Sequence, residues 1–344
     1  MENQNATIFI FNNHPLVVNV QLADTTTPGL TAFFLVIAIF ILIANTYNIL
    51  VITKTPSLRE NPSGVLMISL AVGDILIGLT FPLPMIYMRA TGQFSPGLCV
   101  FQTISISSCC VVSIYTLGWL SFDRYIAITR PLHYDRIVTY KRIYIIITIT
   151  WFVSWLVWLG PLFGIGSYIY TPDIQHCTID PISNPIYTLF VILIVFGIVS
   201  VIIGFSYFQI LKVSLYHAKR IEPVYHDIKP GEEEKKPGFK IPKAIRTLLI
   251  IVCAFYFAWT PLCAEWIVRG FAGYIGAPHI VLTIDSALCI SNSFWNAIIY
   301  TLTNKAFRKS AIKLFGISKY LKEREASKIK TISSTFDGGL TPAG

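Results

Sequence analysis

The chain has 344 residues, of which 54% are hydrophobic and only 13% charged. A soluble domain carries roughly twice that share of charge and needs polar outer faces on its helices and strands, so a soluble fold is excluded. The apolar content also excludes disorder, and seven cysteines are too few for a disulfide scaffold.

Taken in chain order, residues 1–28 read as a tail. Met1 is followed by polar residues, not by the basic-then-apolar pattern of a signal peptide, so the first apolar segment is expected to act as its own insertion signal. Asn5-Ala6-Thr7 is a glycosylation sequon with Asn5 as acceptor. No Asp, Glu, Lys or Arg occurs over 25–53, 90–122, 143–172, 181–211 or 247–264. Asp74 alone interrupts 61–88, and Asp285 alone interrupts 270–304. A bilayer core of about 30 Å needs about 20 apolar residues per helix, and these segments meet that length. The alternation of about ten residues per strand found in membrane barrels is absent. Seven spans are predicted, at 29–53, 64–89, 96–129, 140–162, 185–216, 243–269 and 279–302. The fold class is all-α: a seven-transmembrane helix bundle with a short amphipathic eighth helix.

Of the 27 Lys and Arg residues, only Arg89 and Arg269 lie away from the connections 1–2, 3–4 and 5–6, the span ends that adjoin them, and the region after span 7. The positive-inside rule then puts the amino terminus outside and the carboxyl terminus in the cytosol. The net charge of +9 is thus a topology signal, and a nucleic-acid partner is not expected. The expected domains are an outer tail (1–28), the bundle (29–303), an amphipathic juxtamembrane helix (304–316) and a cytoplasmic tail (317–344). Residues 221–242, with Pro223, Pro230 and Pro237, read as a solvated loop. Residues 305–315 alternate basic and apolar side chains, as in a helix lying on the membrane surface.

Polar groups inside a membrane are costly and default to function. Asp74 has Asn45, Ser113, Asn292, Ser293 and Asn296 as prospective partners, with Asn292 and Asn296 on one helical face. One carboxylate with several neutral oxygens could hold sodium; the alternative is a purely structural hydrogen-bonded cluster. Asp123-Arg124-Tyr125 closes span 3 and is either a functional pair or interfacial snorkelling. Pro261, after Trp259, kinks span 6 as a hinge or as a static bend. Cys99 and Cys177 both face the oxidising side and are expected to form a disulfide over the mouth of the bundle.

Together these residues resemble the rhodopsin-like (class A) family of G-protein-coupled receptors, over about residues 29–316. The motifs are Asn45 (or Asn48) in span 1, Leu-Ala-x-x-Asp ending at Asp74, and Cys99 with Asp123-Arg124-Tyr125 and Pro131-Leu132-His133-Tyr134. Trp151 and Pro161, Tyr207, Phe255 with Trp259 and Pro261, and Asn296 with Tyr300 and Phe307 follow in order. The resemblance implies a two-state bundle. Ligand binding would shift packing around Ile114, Phe255 and Trp259, helix 6 would swing, and Arg124, Tyr207 and Tyr300 would open a groove for a heterotrimeric G protein. It also implies an allosteric sodium ion as the one candidate cofactor.

The sequence departs from the family pattern at Ala297, Val199 and Ala258, and at Ile241, where many relatives carry a glutamate that pairs with the arginine of helix 3. Ligand-free signalling is therefore expected. The amine receptors' aspartate is replaced by Ile106 and the opsin lysine by Ile290, so an orphan-like member is implied. Candidate cavity residues are Thr103, Ile106, Ser107, Cys110, Tyr187, Trp266, Arg269, Asp285 and Ser286. Glu265 and Arg269, four apart, either pair with each other or face ligand. The short tail favours a small molecule or short peptide bound within the bundle. No phosphate loop or metal-ligand spacing is present, so an enzyme is not expected. The rival class is a multi-span transporter, which would predict duplicated halves that are not seen.

Overall fold

The computed structural model describes residues 6–11, 14–19, 28–91, 93–171, 176–228, 243–273, 279–303, 305–314 and 316. Asn5 and the segment 317–344 lie outside the described residues. The first helices are α1 (Pro28–Lys54), a single turn α2 (Pro56–Arg59), α3 (Pro62–Thr80), α4 (Leu83–Thr91) and α5 (Pro96–Thr129). They are followed by the short α6 (Tyr134–Ile137), α7 (Tyr140–Leu156) and α8 (Pro185–Ile192). The rest are α9 (Ile198–Ile228), α10 (Lys243–Ala272), α11 (His279–Thr303) and α12 (Lys305–Leu314).

Helix starts follow from local chemistry. Pro62, Pro96 and Pro185 open their helices where a missing N–H costs nothing. The residue before each caps the first turn: Asn61 accepts from Ser63 N at 2.9 Å, Ser95 from Leu98 N at 3.4 Å and Asn184 from Tyr187 N at 2.9 Å.

Among the described residues, four helical stretches are long and apolar enough to cross a membrane: 29–54, 62–87, 96–129 and 185–216. A fifth comes from 131–137 with 140–156, bent by 64°. With α10 and α11 these make seven packed rods. Their outer faces are apolar, with Phe257 72% and Val201 71% exposed, while Asn45, Asp74, Ser113, Asn292 and Asn296 are buried between rods. A water-soluble bundle has the reverse arrangement. At the far end α12 buries Phe307 and Ala311 inward, the Phe307 ring 6.0 Å from Tyr47, and leaves Lys309 and Lys313 exposed.

Several sequence expectations are corrected. Within the tail, β1 (Ala6–Phe11) and β2 (His14–Asn19) pair antiparallel, an element the sequence reading did not foresee, since both segments hold β-branched or aromatic residues. Span 2 crosses as one stretch, 62–87, with a two-residue turn at Phe81-Pro82 inside it, and span 4 stops as α-helix at Leu156, short of Gly160-Pro161. Span 5 contains a π-helical stretch over Leu193–Gly197, and its helix runs on to Ile228 through Pro223, where a solvated loop was expected. Proline removes one backbone bond but fixes φ in the helical range, so the helix survives it.

Candidate functional site

A second hairpin, β3 (Tyr168–Thr171) with β4 (His176–Ile179), lies across one end of the bundle, and β2 lies against β3. The expected disulfide is present: Cys99 at the start of α5 is bonded to Cys177 in β4, with Cα atoms 5.3 Å apart. Gln102, fully buried one turn along α5, donates to Phe81 O at 2.6 Å and accepts from Cys177 N at 3.0 Å. It thereby ties the hairpin to the α3–α4 break. Tyr168 is sealed in, donating to Trp158 O at 2.8 Å.

Beneath the hairpin is a cavity. Of the expected lining residues, Ile106, Ser107 and Cys110 of α5 reach it, as do Trp266, Arg269, Asp285 and Ser286. Ile114 and Trp259 also line it. Thr103 and Tyr187 do not. The Thr103 hydroxyl turns back on its own helix, to Cys99 O at 3.1 Å, and Tyr187 donates to Val157 O at 2.7 Å. Glu265 and Arg269 pair with each other, Nη1 to Oε1 at 3.0 Å. His176 contributes to the same wall, its Nδ1 buried with no hydrogen-bond partner among the described residues. Burial lowers its pKa from 6.5 to about 4, so it stands neutral.

Deeper in the bundle, Trp259 meets an aromatic stack. Its ring is 5.8 Å from Phe196 and 6.3 Å from Phe255, and Phe196 and Phe255 stack at 5.9 Å. Ile114 is buried in the same core. Pro261 lies inside α10, where it deletes one rung of the helix ladder. The Cys289 thiol donates to the Ala258 carbonyl, in the turn before it, at 3.4 Å.

Farther along, Asp74 is fully buried. Asn296 Nδ2 donates to its Oδ2 at 3.4 Å, and Ser293 and Ser113 lie beside the same carboxylate. Asp74 Oδ1, Ser113 Oγ and Asn45 Oδ1 are sealed with no hydrogen-bond partner among the described residues. Asn45 spends its amide on Ile41 O at 3.0 Å and Ser293 O at 2.8 Å. Asn292 is buried on the same helix as Asn296, one turn away.

At the opposite end from the disulfide, Arg124 pairs with Asp123 at 3.0 Å. Arg124 Nη2 also donates to Ser63 Oγ at 3.4 Å; Ser63 stands 3.1 Å from Tyr134 OH, which donates to Asp123 Oδ1 at 2.7 Å. One assignment uses each proton once: Arg124 to Ser63, Ser63 to Tyr134, Tyr134 to Asp123, with the ion pair closing the ring. Burial, helped by the bond to Asp123, raises the Tyr134 phenol to about 12, so it keeps its proton. Tyr125 turns the other way, its ring 5.3 Å from Phe205. Tyr207 is half-buried on α9 against the apolar core. Tyr300 lies in α11, and its side chain is outside the described residues.

A family model described as 7 transmembrane receptor (rhodopsin family) matches residues 44–300, most of the chain. The chain belongs to the rhodopsin family of seven-transmembrane receptors. The mouse protein named "Probable G-protein coupled receptor 21" is 28% identical over 293 residues, covering 81% of each chain. The human histamine H2 receptor is 30% identical over 301 residues, 85% of this chain and 81% of its own. The crystal structure of squid rhodopsin shares the fold, with a TM-score of 0.71 at 23% identity over 87% of this chain and 88% of that one.

This rhodopsin-family chain is therefore a multi-pass membrane protein and a G-protein-coupled receptor, not an enzyme. Sequence reasoning on the receptor missed Phe196, Gln102, His176 and the roles of Ser63 and Tyr134. Gln102 left one trace, an amide in an otherwise small and apolar stretch of span 3. Phe196 left none, because an aromatic residue in an apolar helix is ordinary packing.

Proposed function

We propose that the receptor sits in the plasma membrane with residues 1–28 outside and carries the signal of an extracellular small molecule or short peptide to a heterotrimeric G protein. In this reading 29–303 form the bundle, 304–316 lie on the inner membrane surface and 317–344 reach into the cytosol. The observation that carries it is the continuity of the cavity with the aromatic stack around Trp259. The cavity wall includes Trp259, and Trp259 stacks on Phe196 and Phe255 in the helix that Pro261 weakens. A ligand that binds one packing of this stack better than another shifts the equilibrium of the whole bundle. The far end of α10 then moves, Arg124 leaves its ring with Ser63, Tyr134 and Asp123, and Tyr207 and Tyr300 close behind it to admit the G protein's terminal helix. Signalling without ligand is part of the proposal. It rests on Ile241, which lies outside the described residues.

An allosteric sodium ion fits the middle of the bundle. Asp74 Oδ1, Ser113 Oγ and Asn45 Oδ1 are hard oxygen atoms, buried without hydrogen-bond partners among the described residues, of the kind small cations take. Asp74 would hold the ion with Ser113 and Asn45, and Asn292 and Asn296 would complete the polar pocket. The ion would supply a positive charge that favours one packing of these helices.

The test is nucleotide exchange on purified G proteins by the receptor in membrane vesicles. Exchange above empty vesicles, lost in Arg124→Ala at equal surface expression, is the expected result. Absence of exchange on every G-protein class, or both tails carrying tags accessible on the same side, would overturn the proposal.

A further inference from the structure

Asp285 is 4% exposed on α11 and lines the cavity, yet no hydrogen bond or ion pair reaches its carboxylate among the described residues. Of the other charged groups on the cavity wall, Arg269 pairs through Nη1 with Glu265, while its Nε is buried with no hydrogen-bond partner among the described residues. Glu265 and Arg269 answer each other at 3.0 Å, with side chains 9% and 10% exposed, and His176 is neutral. The wall therefore holds two carboxylates and one guanidinium, one carboxylate in excess, and the guanidinium's ion pair is with Glu265. A carboxylate that faces the cavity with no cation of the protein beside it is free to take its counter-ion from whatever fills that cavity. The other side of the cavity offers none: Ile106, on α5, is apolar and buried. Around it stand Trp158, Trp259, Trp266 and Phe196, whose ring faces favour both an apolar body and a positive charge.

We infer that the ligand carries one cationic group, an ammonium or guanidinium, on an apolar body, and that Asp285 is its counter-ion. The inference rests on reading this cavity as the receptor's ligand site. An anionic ligand would meet one carboxylate in excess. A neutral one would leave the Asp285 carboxyl without a partner of opposite charge and gain nothing from it. The cation enters from the hairpin end, pairs with Asp285, and its apolar body runs down toward Trp259.

The test uses the full-length receptor in lipid nanodiscs and three probes of one shape: 4-phenylbutylamine, 4-phenylbutanol and 4-phenylbutyrate. Binding is read from concentration-dependent thermal stabilisation. The amine is expected to bind at least about tenfold more tightly than the alcohol, a difference of about 1.4 kcal/mol, and the carboxylate more weakly still. Asp285→Asn brings the amine-to-alcohol ratio to about one with the alcohol's affinity unchanged, and Asp285→Glu retains the preference. The wild-type ratio needs no variant, so a poorly folding Asp285→Asn leaves the test standing. A ratio near one in the wild type, preference for the carboxylate, no amine binding at millimolar concentration, or preference retained in Asp285→Asn each overturns the inference. Nucleotide exchange dependent on Arg124, measured without probes, reads the receptor assignment separately. If exchange is intact and the amine preference absent, only the counter-ion role falls.

Discussion

Tyr134 holds Asp123 by a 2.7 Å hydrogen bond from a separate short helix, so Arg124 shares its carboxylate with a neutral donor. The bond fastens α6 to α5 and keeps the Asp123–Arg124 pair in one geometry. Tyr134→Phe removes the donor and leaves the Ser63 hydroxyl without its acceptor. A hydrogen bond to a charged group is worth about 1.5–3 kcal/mol. Part of that stabilises only the closed arrangement, so ligand-free nucleotide exchange should rise about two- to tenfold in Tyr134→Phe. Exchange at or below the wild-type level would show that the ring does not restrain Arg124.

Gln102 is the second joint. Its amide satisfies Phe81 O where Pro82 interrupts the helix, and its oxygen satisfies Cys177 N beside the disulfide. Gln102→Leu keeps the volume and orphans both backbone groups. The expected loss is about 2–4 kcal/mol, from two buried unsatisfied groups at about 1–2 kcal/mol each, read as a lower melting temperature with the disulfide intact. Cys177→Ser, which opens the covalent link as well, should cost about 2–5 kcal/mol and reduce surface expression further.

The hairpin should also be sensitive to acid. His176 has its Nδ1 sealed and its ring 5.5 Å from Phe81, and burial holds its pKa near 4 against 6.5 for an unburied histidine. Above pH 6.5 it is neutral in both folded and unfolded chains. Between 6.5 and 4 the unfolded chain takes up a proton that the folded one refuses, so stability falls as pH falls; below about 4 the loss is complete. Because the residue is only half-buried, the loss on going from pH 7.5 to 5 should be at most about 2 kcal/mol. Melting curves at the two pH values, for wild type and His176→Gln, measure it. The variant should lose this part of the slope, and an unchanged slope would reassign it to other groups.

Gly160 is required by its neighbour. A Cβ added there would stand 2.7 Å from the Tyr187 ring, whose hydroxyl is bound to Val157 O. Gly160→Ala should displace the ring, break that bond and cost about 1–3 kcal/mol. With Tyr187→Leu already in place the same substitution should cost much less, so a double-mutant cycle on melting temperature should show clear coupling. Additive effects would mean that the ring yields freely.

The segments without charged residues were enough to reveal apolar rods, and their order with Asp74, Cys99, Asp123-Arg124-Tyr125, Trp259 and Asn296 was enough to reveal the family. Lipid as solvent imposes both: a span must be apolar, and any polar group kept within it stands out. Interruptions were less legible. Pro82 broke a helix while Pro223 did not, and the π-helical stretch at Leu193–Gly197 carries no proline, because neighbouring contacts decide whether a lost rung is tolerated. Apart from Cys99 with Cys177, Glu265 with Arg269 and Asp74 with Asn296, which side chains meet was left to the tertiary structure. Thr103 and Tyr187 had the right positions along their helices for a cavity role, but each turned to a nearer backbone carbonyl. Phe196 joined Trp259, and Ser63 joined Tyr134 across 71 residues of chain. Local sequence fixes where a helix runs and which faces avoid water. Partners from distant helices fix the rotation and depth at which those faces meet, and with them which buried carboxylate is satisfied and which, like Asp285, is left for a ligand.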